Sequence, residues 1–484
     1  MGVIFALLMP ESKPTRIAIV GGGFSGVMTA VNLSRLAKRP LHLFIINHQR
    51  PVGRGVAYGT RRMEHLLNVA ARNMSAFPDQ PDHFLQWLRS RSEYDEVPER
   101  DLREKFIPRM IFGDYLRSIL QHHLQARDAE SLVTVDFISG EAIDIEKQGT
   151  EVIVHLKEGQ PIPADRVVLA TGNEAPAELP GAEALNDHPG WISNPWLPWH
   201  DSLPQSGGTV ILLGTGLTTI DAVITLRALG WQGVVHAVSR HGWLPKAHFR
   251  GVEYADFPPP EVDLASLGLK KLANLMELHC ARLREVEANP AIIVDKLRPY
   301  TQRIWESFSV EEKLIFARQY AARWNVLRHR IAPEIHAQVA SAQLTGQLTV
   351  HSASIERVEA EGSRLRVILD HGGPLEGEIV VNATGPQTRF SATCSTLLQN
   401  LLRRGLIAPD AMDMGVRVEK DHTAVNAGGC RSENLLALGP LLRGTLWETI
   451  AVPELRGQAR RVAETILDQP VSHKPEPVMM EFMI

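Results

Sequence analysis

The stretch RIAIVGGGFSGVMTA, residues 16–30, decides the fold of this chain. An apolar run ends in glycines, and small or apolar residues then return at helical spacing, which predicts a strand, a tight turn and a helix. Gly21, Gly23 and Gly26 fit G-x-G-x-x-G, whose glycines permit the turn, let the backbone approach a pyrophosphate and let helix and strand pack closely. The N–H groups at the helix start, around Phe24 and Ser25, would hold phosphate. The alternative is a tight turn that binds nothing.

Composition restricts the class of protein. The chain has 484 residues, of which 44% are hydrophobic and 22% charged, with a net charge of −4, which is typical of a soluble protein of two or three domains. This charge favours neither nucleic acid nor a membrane surface as a partner. The three cysteines are far apart and form no C-x-x-C pair, which argues against a disulfide framework, a structural zinc site or a dithiol centre. We therefore expect a cytoplasmic protein in a reducing environment.

Both ends of the sequence are expected to lie outside the fold. Residues 2–9 are apolar but have no basic region before them and no cleavage site after them, so we interpret them as a loose leader rather than a signal peptide. No run reaches the roughly 18 apolar residues that a membrane-spanning helix needs. The Pro-rich tail, residues 470–484, is predicted to be disordered.

A second buried strand, residues 41–47, ends where dinucleotide-binding proteins commonly place an acidic residue for the ribose hydroxyls. Here that position holds Asn47, whose amide can bond a hydroxyl without the strength of a charge. Residues 52–116 are rich in Gly, Pro, Arg and aromatic residues, so these loops either form a site or pack over the core. A helix is predicted over residues 112–127.

Strands at 133–138, 142–145 and 152–156 suggest a small antiparallel meander. The buried strand that follows ends in Ala170-Thr171-Gly172, small residues that would let the backbone approach a bound dinucleotide.

The opening pattern returns at residues 208–222, where Gly214 and Gly216 hold the first two glycine positions and Thr219 the third. Leu217 and Thr218 then begin the helix. The next strand ends in Ser239-Arg240, and a basic residue here suits the 2′-phosphate of NADPH, whereas an acid suits NADH. The alternative is a surface arginine that lies over the sheet.

Residues 262–341 interrupt the alternation of strands and helices. Apolar spacing predicts helices at 264–287, 291–306 and 310–331, with Pro333 as a stop signal. Arg328, His329 and Arg330 either bind an anion or form a solvated helix end, and the second interpretation is slightly favoured.

Strands then resume at 348–369, and one at 378–382 ends in Ala383-Thr384-Gly385, as the earlier strand does. A buried strand before Gly439 and a helix at 445–467, whose start could point at the first cofactor, complete the chain. This duplication predicts an α/β fold with two Rossmann-like, three-layer (ββα) dinucleotide-binding domains, the second inserted into the first. The predicted ranges are 14–205 and 386–469 for the first, FAD-binding domain, and 206–385 for the NAD(P)H-binding domain, with a helical insertion at about 262–341.

Over nearly its whole length the chain resembles the two-dinucleotide-domain flavoproteins and, more narrowly, the largely uncharacterised FAD/NAD(P)-binding protein family. The motifs that carry this resemblance are GRGVAY (53–58), LNV (67–69), MSAFP (74–78), residues 108–115, Ser239-Arg240, residues 328–330 and GTLWETIAVPELR (444–456).

The motif order is also similar to that of N-hydroxylating, class B-like flavin monooxygenases, which share a loop after the second strand, a Phe-x-x-Trp/Tyr-Leu helix (84–88) and an Arg-x-x-Phe-x-x-Tyr-Leu helix (109–116). Their F-x-G-x-x-x-H stretch between the two domains has only Leu179-Pro180-Gly181 as a counterpart, because His188 lies too far on. The lack of paired cysteines separates the chain from disulfide reductases of similar architecture.

The resemblance implies that FAD binds the first domain and NADPH the second, that hydride passes to the flavin, and that the substrate is a small molecule. It places Asn68 and Met74, with Ser75, beside the isoalloxazine, and makes Arg109 a candidate for a cofactor phosphate or a substrate carboxylate. Asn68 and Arg330 are the candidate catalytic residues, and no metal is expected.

Three functions stay open at this point. The first is an NADPH-dependent flavin monooxygenase that uses O₂, in one form N-hydroxylating a small amine or amino acid. The second is an NADPH-dependent flavin reductase or dehydrogenase without oxygenation. The third is a nucleotide-bound interaction or sensor protein.

Overall fold

The computed structural model describes residues 13–48, 51–125, 131–200, 203, 207–249 and 254–470. The predicted leader and all but the first residue of the predicted tail therefore lie outside the described residues. In chain order the strands are β1 (Thr15–Val20), β2 (Leu41–Asn47), β3 (Val133–Ser139), β4 (Ala142–Gln148), β5 (Glu151–Leu156), β6 (Ile162–Ala164), β7 (Arg166–Leu169), β8 (Trp191–Ile192), β9 (Thr209–Leu213), β10 (Val234–Ser239), β11 (Leu348–Ser352), β12 (Ile355–Glu361), β13 (Arg364–Leu369), β14 (Leu375–Gly377), β15 (Ile379–Asn382), β16 (Thr423–Val425) and β17 (Arg431–Ala437).

The helices surround these strands. They are α1 (Phe24–Leu36), α2 (Gly55–Tyr58), α3 (His83–Arg89), α4 (Glu99–Glu104), α5 (Arg109–Leu120), α6 (Leu217–Ala228), α7 (Gly268–Glu285), α8 (Ala291–Leu297), α9 (Thr301–Ser307), α10 (Val310–Gln319), α11 (Ala321–Arg328), α12 (Pro333–Leu344), α13 (Thr396–Arg403), α14 (Arg443–Leu446) and α15 (Val452–Ile466). Short 3₁₀ turns lie at Ala71–Asn73, Ala182–Leu185, Leu264–Ser266, Arg298–Tyr300, Phe390–Ala392 and Gly439–Leu442, and a π turn at Gln121–Gln125.

Two mainly parallel sheets form the framework. The first has the order β16-β17-β7-β1-β2-β3 and the second the order β11-β10-β9-β15-β8. Only the β16–β17 pairing is antiparallel. We call the parts built on these sheets the first domain and the second domain. The first sheet takes strands from both ends of the chain and the second from the middle, so the predicted α/β fold with one domain inserted into the other is confirmed.

Each domain also carries a small antiparallel sheet, β4-β5-β6 in the first and β12-β13-β14 in the second. The meander prediction was wrong for β3, which instead pairs in parallel with β2 at the edge of the first sheet. Its residues alternate between buried and exposed, with Val133 and Val135 in the core. Such alternation describes a half-buried strand but does not reveal which neighbour it pairs with.

The predicted boundary at residue 205 also needs correction. The two-residue strand β8 precedes that boundary, yet it pairs with β15 at the edge of the second sheet. A strand this short carries no periodic signal, so the sequence could not place it. The second domain therefore begins before Trp191.

The helical insertion is more fragmented than predicted. Its first and third predicted helices correspond to α7 and to the pair α10 and α11, while the second divides into α8 and α9 around the turn that contains Pro299. Pro333 does not stop a helix but begins α12, because its fixed φ suits the first helical turn. Ile335 and Val339 of α12 pack with residues of α6, so α12 belongs to the second domain rather than to the insertion.

Two further helix boundaries differ. The predicted 445–467 helix is broken at Trp447, whose φ of 63° lies in the left-handed region, and it becomes α14 and α15. The predicted 112–127 helix begins earlier, at Arg109, and continues into a π turn up to Gln125, while its last two predicted residues lie outside the described residues. Among the described residues, no helix is both long and apolar enough to cross a membrane.

Candidate functional site

The first glycine turn joins β1 to α1, and its geometry requires glycine. Gly21 has a φ of 113°, and a Cβ there would overlap the carbonyl oxygen of Ala170 at the end of β7. A Cβ on Gly26 would overlap the carbonyl oxygen of Gly21. Gly23, in contrast, has a φ of −79° and would place a Cβ no closer than 3.6 Å to its neighbours, at the Cα of Gly55. Gly23 is therefore not required by the packing of the protein itself.

Asn47 has a structural role that the sequence did not predict. Its Oδ1 accepts a hydrogen bond from the N–H of Gly22 at 3.0 Å, so the side chain supports the glycine turn. A Cβ on Gly22 would lie 2.8 Å from the Cγ of Asn47, so the two residues pack closely. One hydrogen bond to Oδ1 does not exclude a further partner, so the contact of this amide with a ribose hydroxyl stays a prediction.

The second glycine turn repeats this geometry between β9 and α6. Gly214 has a φ of 120°, and a Cβ there would overlap the carbonyl oxygen of Ala383 at the end of β15. Thr219, in the place of the third glycine, donates a hydrogen bond from its Oγ1 to the Gly214 carbonyl at 2.8 Å. Around the Cβ position of Gly216 there is no heavy atom within 4 Å among the described residues. The two turns therefore have the same backbone geometry at their first glycine and differ at the third motif position, which holds Gly26 in the first turn and Thr219 in the second.

Both helices that follow the turns have free N-termini. No side chain caps α1 or α6, and neither has an acidic residue in its first turn. Phe24 and Ser25 begin the first helix and Leu217 and Thr218 the second. Unsatisfied N–H groups and the positive end of the helix dipole make such termini suitable for an anionic group such as a pyrophosphate.

The strand ends predicted to face the nucleotides lie beside these turns. Gly172 and Gly385 have φ values of 77° and 92°, and a Cβ on either would meet open space among the described residues. The Thr171 hydroxyl is buried without a hydrogen-bond partner among the described residues, whereas the Thr384 hydroxyl donates to Asn382 Oδ1 at 2.7 Å. The two Ala-Thr-Gly ends are therefore equivalent in backbone and differ in the bonding of the threonine.

Gly439 lies next to the first turn although it is distant in sequence. It has a φ of 78°, and a Cβ there would be 3.2 Å from Ser25 Oγ at the start of α1. Its N–H donates to Gln458 Oε1 of α15 at 2.8 Å. The structure thus brings β1, β7, β17 and the start of α1 together.

At the end of β10, Ser239 and Arg240 follow the second turn. Ser239 Oγ lies 2.8 Å from Thr215 Oγ1 and accepts the N–H of Gly242 at 3.1 Å, which fixes the loop. The Arg240 side chain is exposed and has no carboxylate partner among the described residues. Its guanidinium is therefore available to a ligand.

Arg109 joins the two domains. Its guanidinium bonds both oxygens of Asp221 on α6, at 2.5 and 3.1 Å, and its Nε donates to the carbonyl of Leu66 at 2.9 Å. His65 Nε2 lies 2.8 Å from Thr225 Oγ1 on the same helix, which adds a second contact. The prediction that Arg109 binds a cofactor phosphate or a substrate carboxylate is therefore wrong, because Asp221 already neutralises it.

Asn68 lies at the same junction. It lines a small cavity together with Leu217 and Ile220 at the start of α6, and its carbonyl oxygen is 2.8 Å from His248 Nε2. A residue predicted for the first cofactor and one predicted for the second thus share one interdomain space.

Met74 and Ser75 lie in the core instead. Their side chains are 2% and 0% exposed. Ser75 Oγ donates to the Gln80 carbonyl at 2.6 Å, and the Ser75 carbonyl accepts from Arg456 at 2.7 Å. For this part of the 52–116 region, packing over the core is the correct alternative, and a cofactor contact through these two side chains is not supported.

The Arg328-His329-Arg330 cluster is neither a solvated helix end nor a free anion site. Arg330 is 1% exposed and bonds both Asp295 oxygens, at 2.7 and 2.8 Å. Arg328 Nε lies 3.5 Å from Glu448 Oε2. Burial, with the nearby Arg328 cation, lowers the pKa of His329 to about 4. Arg330 is therefore corrected from a candidate catalytic residue to one half of a buried ion pair.

The insertion also packs against the segment after β17, which the sequence reasoning about sites missed. Trp305 Nε1 donates to the Gly444 carbonyl at 2.8 Å, and Trp324 Nε1 donates to Glu448 Oε1 at 3.0 Å. Arg298 lies 3.3 Å from Glu454 at the start of α15. The available signal was the long motif at 444–456, which is rich in residues that can make such contacts. No group of three or more His, Cys, Asp or Glu side chains in the described ranges could hold a metal ion.

Comparisons with known proteins agree with this geometry. Residues 18–174 match the model of the FAD-NAD(P)-binding family. No curated protein sequence matches the chain significantly. Among solved structures, the chain is similar to the ornithine N-hydroxylase of Kutzneria sp. 744, with 16% identity, 94% of this chain and 99% of that chain covered and a TM-score of 0.63.

Two further structures extend the comparison. L-lysine 6-monooxygenase of Pseudomonas syringae has 17% identity, coverage of 95% of this chain and 100% of that chain and a TM-score of 0.62. The bacillithiol disulfide reductase of Staphylococcus aureus has 13% identity, coverage of 94% and 99% and a TM-score of 0.54. At these identities the likeness concerns the fold. Residues 18–174 thus match the FAD-NAD(P)-binding family model, and the whole chain shares its fold with solved N-hydroxylating flavin monooxygenases, which agrees with the predicted fold.

Proposed function

We propose that this chain is an FAD-dependent, NADPH-using flavin monooxygenase that N-hydroxylates a small amine or amino acid. The observation that carries the proposal is the pair of glycine turns, each with a positive-φ glycine against an Ala-Thr-Gly strand end and each followed by a helix without a side-chain cap. Two such turns in one chain serve two dinucleotides. The solved ornithine and lysine hydroxylases support the reaction class, because the chain covers nearly their whole length.

FAD fits the first turn. The positive end of α1 would face its pyrophosphate, and Gly23 leaves the space that a close backbone approach needs. Gly21, Gly26, Thr171, Gly172 and Gly439 shape the same cradle. The buried Thr171 hydroxyl without a partner among the described residues is a group that a bound cofactor would satisfy, which favours a ligand here over an empty turn.

NADPH fits the second turn. Gly214 and Gly216 would admit its pyrophosphate at the start of α6, and Thr384 and Gly385 would line the opposite side. Arg240, which is exposed and without a carboxylate partner among the described residues, would bind the 2′-phosphate. A guanidinium forms charge-assisted hydrogen bonds with phosphate that an NADH ribose could not form.

A bound FAD would supply a hydride acceptor for NADPH and, once reduced, the electrons for O₂. The protein contributes binding, orientation and exclusion of water. The Arg109–Asp221 pair fixes the two domains against each other, and the insertion packs over the segment that precedes α15. Asn68, at the junction of the domains, remains the candidate side chain for the flavin edge that faces the nicotinamide.

The second candidate function is that of a flavin reductase. The fold that this chain shares with a bacillithiol disulfide reductase favours this candidate. The three cysteines of this chain are free, and only Cys394 and Cys430 are exposed. The free thiols also support the proposal of a cytoplasmic location.

One experiment separates these functions. The purified protein is expected to be yellow, to be bleached faster by NADPH than by NADH, and to consume O₂ in a one-to-one ratio with product when an amine substrate is present. Bleaching without a hydroxylated product would favour the reductase. In that case the electrons would pass to O₂, with H₂O₂ as the only product, or to another acceptor. If the purified protein neither contained nor rebound FAD, both the monooxygenase and the reductase functions would be refuted. The third function, a nucleotide-bound interaction or sensor protein, would then remain.

A further inference from the structure

We propose that Trp243, which stacks on His241 in the loop after β10, holds the adenine ring of NADPH. The second domain would then recognise the base as well as the 2′-phosphate. This inference rests on the proposed function for the identity of the cofactor, and it adds a binding residue that neither the glycine motif nor Arg240 supplies.

Three planar side chains lie exposed within the sequence Arg240-His241-Gly242-Trp243. Arg240 and His241 are exposed, and Trp243 is 43% exposed. The His241 and Trp243 rings stack, with their centroids 4.5 Å apart and their planes inclined by 20°. A single exposed tryptophan would carry little information, because isolated apolar side chains are common on protein surfaces. A stacked pair beside an exposed guanidinium is a more specific arrangement, since it offers a flat ring and a positive charge together.

The backbone that carries these side chains is fixed. The Gly242 N–H donates to the Ser239 carbonyl at 3.2 Å, which closes a β-turn with Arg240 and His241 as its central residues. Gly242 has a φ of 59°, and a Cβ there would lie 3.3 Å from the Cβ of Ser352 at the end of β11. Ser352 Oγ also donates to the Arg240 carbonyl at 3.1 Å. A ligand would therefore meet a preformed surface and would not have to order the loop.

The loop is attached to the second glycine turn. The Gly214 N–H donates to the carbonyl of the penultimate β10 residue at 2.7 Å, and Thr215 Oγ1 lies 2.8 Å from Ser239 Oγ. After the loop, Leu244 packs against the core of the second domain. The loop around Trp243 is thus fixed to the turn proposed for the pyrophosphate at one end and to the domain core at the other.

The covalent structure of NADPH connects the two proposed contacts. Its 2′-phosphate and its adenine are attached to neighbouring carbons of one ribose, so a phosphate bound by Arg240 would bring the adenine close to the same loop. A purine presents a flat π-face that stacks on an indole. Arg240 alone would suit any phosphate monoester, whereas Arg240 and Trp243 together suit an adenosine that carries a 2′-phosphate.

The test uses the full-length protein saturated with FAD, so that the first turn is occupied. The probes are 2′,5′-ADP and 5′-AMP, which has the adenine without the 2′-phosphate, and each Kd is measured by isothermal titration calorimetry. Trp243→Ala should weaken both probes by a similar factor, about 5- to 150-fold, as loss of one stacked base does. Arg240→Ala should instead remove most of the preference for 2′,5′-ADP over 5′-AMP, because only 2′,5′-ADP carries the 2′-phosphate.

The controls separate stacking from other effects of the substitution. Trp243→Phe should keep most of the affinity, because a phenyl ring also stacks on a purine. Either probe should quench indole fluorescence in the natural protein more than in Trp243→Phe. Leu229→Ala is the matched control, because Leu229 is 46% exposed in the same domain and lies at the end of α6 away from the glycine turn, so it should leave both Kd values unchanged.

Two results with Trp243→Ala would overturn the inference. The first is an unchanged Kd for both probes; a lower sedimentation mass in that case would assign the stack to a contact between copies of the chain. The second is a loss of affinity for 2′,5′-ADP alone, which would mean that Trp243 acts on the phosphate site and not on the base. If Trp243→Ala did not fold, Trp243→Leu, which keeps an apolar side chain without a ring, would decide in its place.

Failure of the proposed function would look different. If neither probe bound the natural protein, the NADPH site at the second turn would be refuted and the inference with it. If the protein did not bind FAD, the proposed oxidoreductase function would fail, but the 2′,5′-ADP titrations of the natural protein and Trp243→Ala would still decide whether Trp243 holds the base.

Discussion

Replacing Gly23 and Gly216 with alanine, one at a time, tests the assignment of the two turns most directly. Both glycines have negative φ, −79° and −84°, which alanine adopts without strain. A Cβ on Gly23 meets its nearest neighbour at 3.6 Å, and one on Gly216 meets nothing within 4 Å among the described residues. The protein alone therefore tolerates both changes, and any loss must come from a ligand that occupies that space.

The magnitudes follow from this geometry. In the ligand-free protein each substitution should change stability by less than about 1 kcal/mol, because alanine restricts the unfolded chain but is a poorer N-cap residue than glycine. A methyl group pressed into the path of a pyrophosphate should cost about 1–3 kcal/mol of binding free energy, roughly a 5- to 150-fold rise in Kd. Gly23→Ala should lose FAD, whereas Gly216→Ala should stay yellow and bind NADPH more weakly.

The assay measures three quantities for each variant: urea unfolding of the ligand-free protein, flavin content after dialysis against FAD, and the Kd for NADPH. Gly140→Ala is the matched control, because its Cβ would meet only Leu156, at an ordinary 3.5 Å, and the bond from its N–H to the Asn47 carbonyl is kept. Loss of NADPH affinity in Gly23→Ala with FAD retained would reverse the assignment. Normal affinity for both cofactors in both variants would refute the reasoning that these turns bind nucleotides.

Three further predictions concern single side chains. Arg240→Ala should raise the Kd for NADPH by about 10- to 150-fold and change that for NADH less than about threefold, because only NADPH offers a phosphate; equal losses, measured by titration, would contradict this role. Asp295→Asn should lower the free energy of unfolding by about 3–5 kcal/mol, since it leaves the fully buried Arg330 without its charge partner, and replacing both residues with apolar ones should recover much of it in urea unfolding. His422 is fully buried, which lowers its pKa to about 4. Between pH 6.5 and about 4 the unfolded chain therefore binds a proton at this residue and the folded chain does not. Stability should fall as the pH drops from 6.5 towards 4, by up to about 3 kcal/mol from this residue, and His422→Asn, which tolerates the left-handed backbone, should flatten that slope in unfolding measurements; an unchanged slope would refute the assignment.

The sequence predicted those parts of the structure that local backbone chemistry determines. Gly21 and Gly214 have positive φ and lie against the carbonyls of Ala170 and Ala383, so no other residue could serve, and the pattern stands out in the sequence. The same reasoning located both Ala-Thr-Gly strand ends and Gly439. These positions are constrained by contacts of the backbone, which a linear motif records.

Side-chain roles were harder to predict because they depend on partners that are distant in the chain. Arg109 meets Asp221 after 112 residues, and Arg330 meets Asp295 across the insertion. An arginine that binds phosphate and one that binds a carboxylate of the same protein look identical in sequence. Arg240, whose side chain has no carboxylate partner among the described residues, keeps its predicted role as a proposal, whereas Arg109 and Arg330 lose theirs.

The contacts of the insertion explain why its interior is so highly charged. Arg298 and Arg328 belong to the helical insertion. Their partners, Glu454 and Glu448, belong to the last segment of the first domain. Desolvating such pairs gains little stability, but a misplaced interface would leave each charge alone, which is far more costly. The ion pairs therefore specify one arrangement of the helical insertion against the segment 443–454, and they add little to its stability.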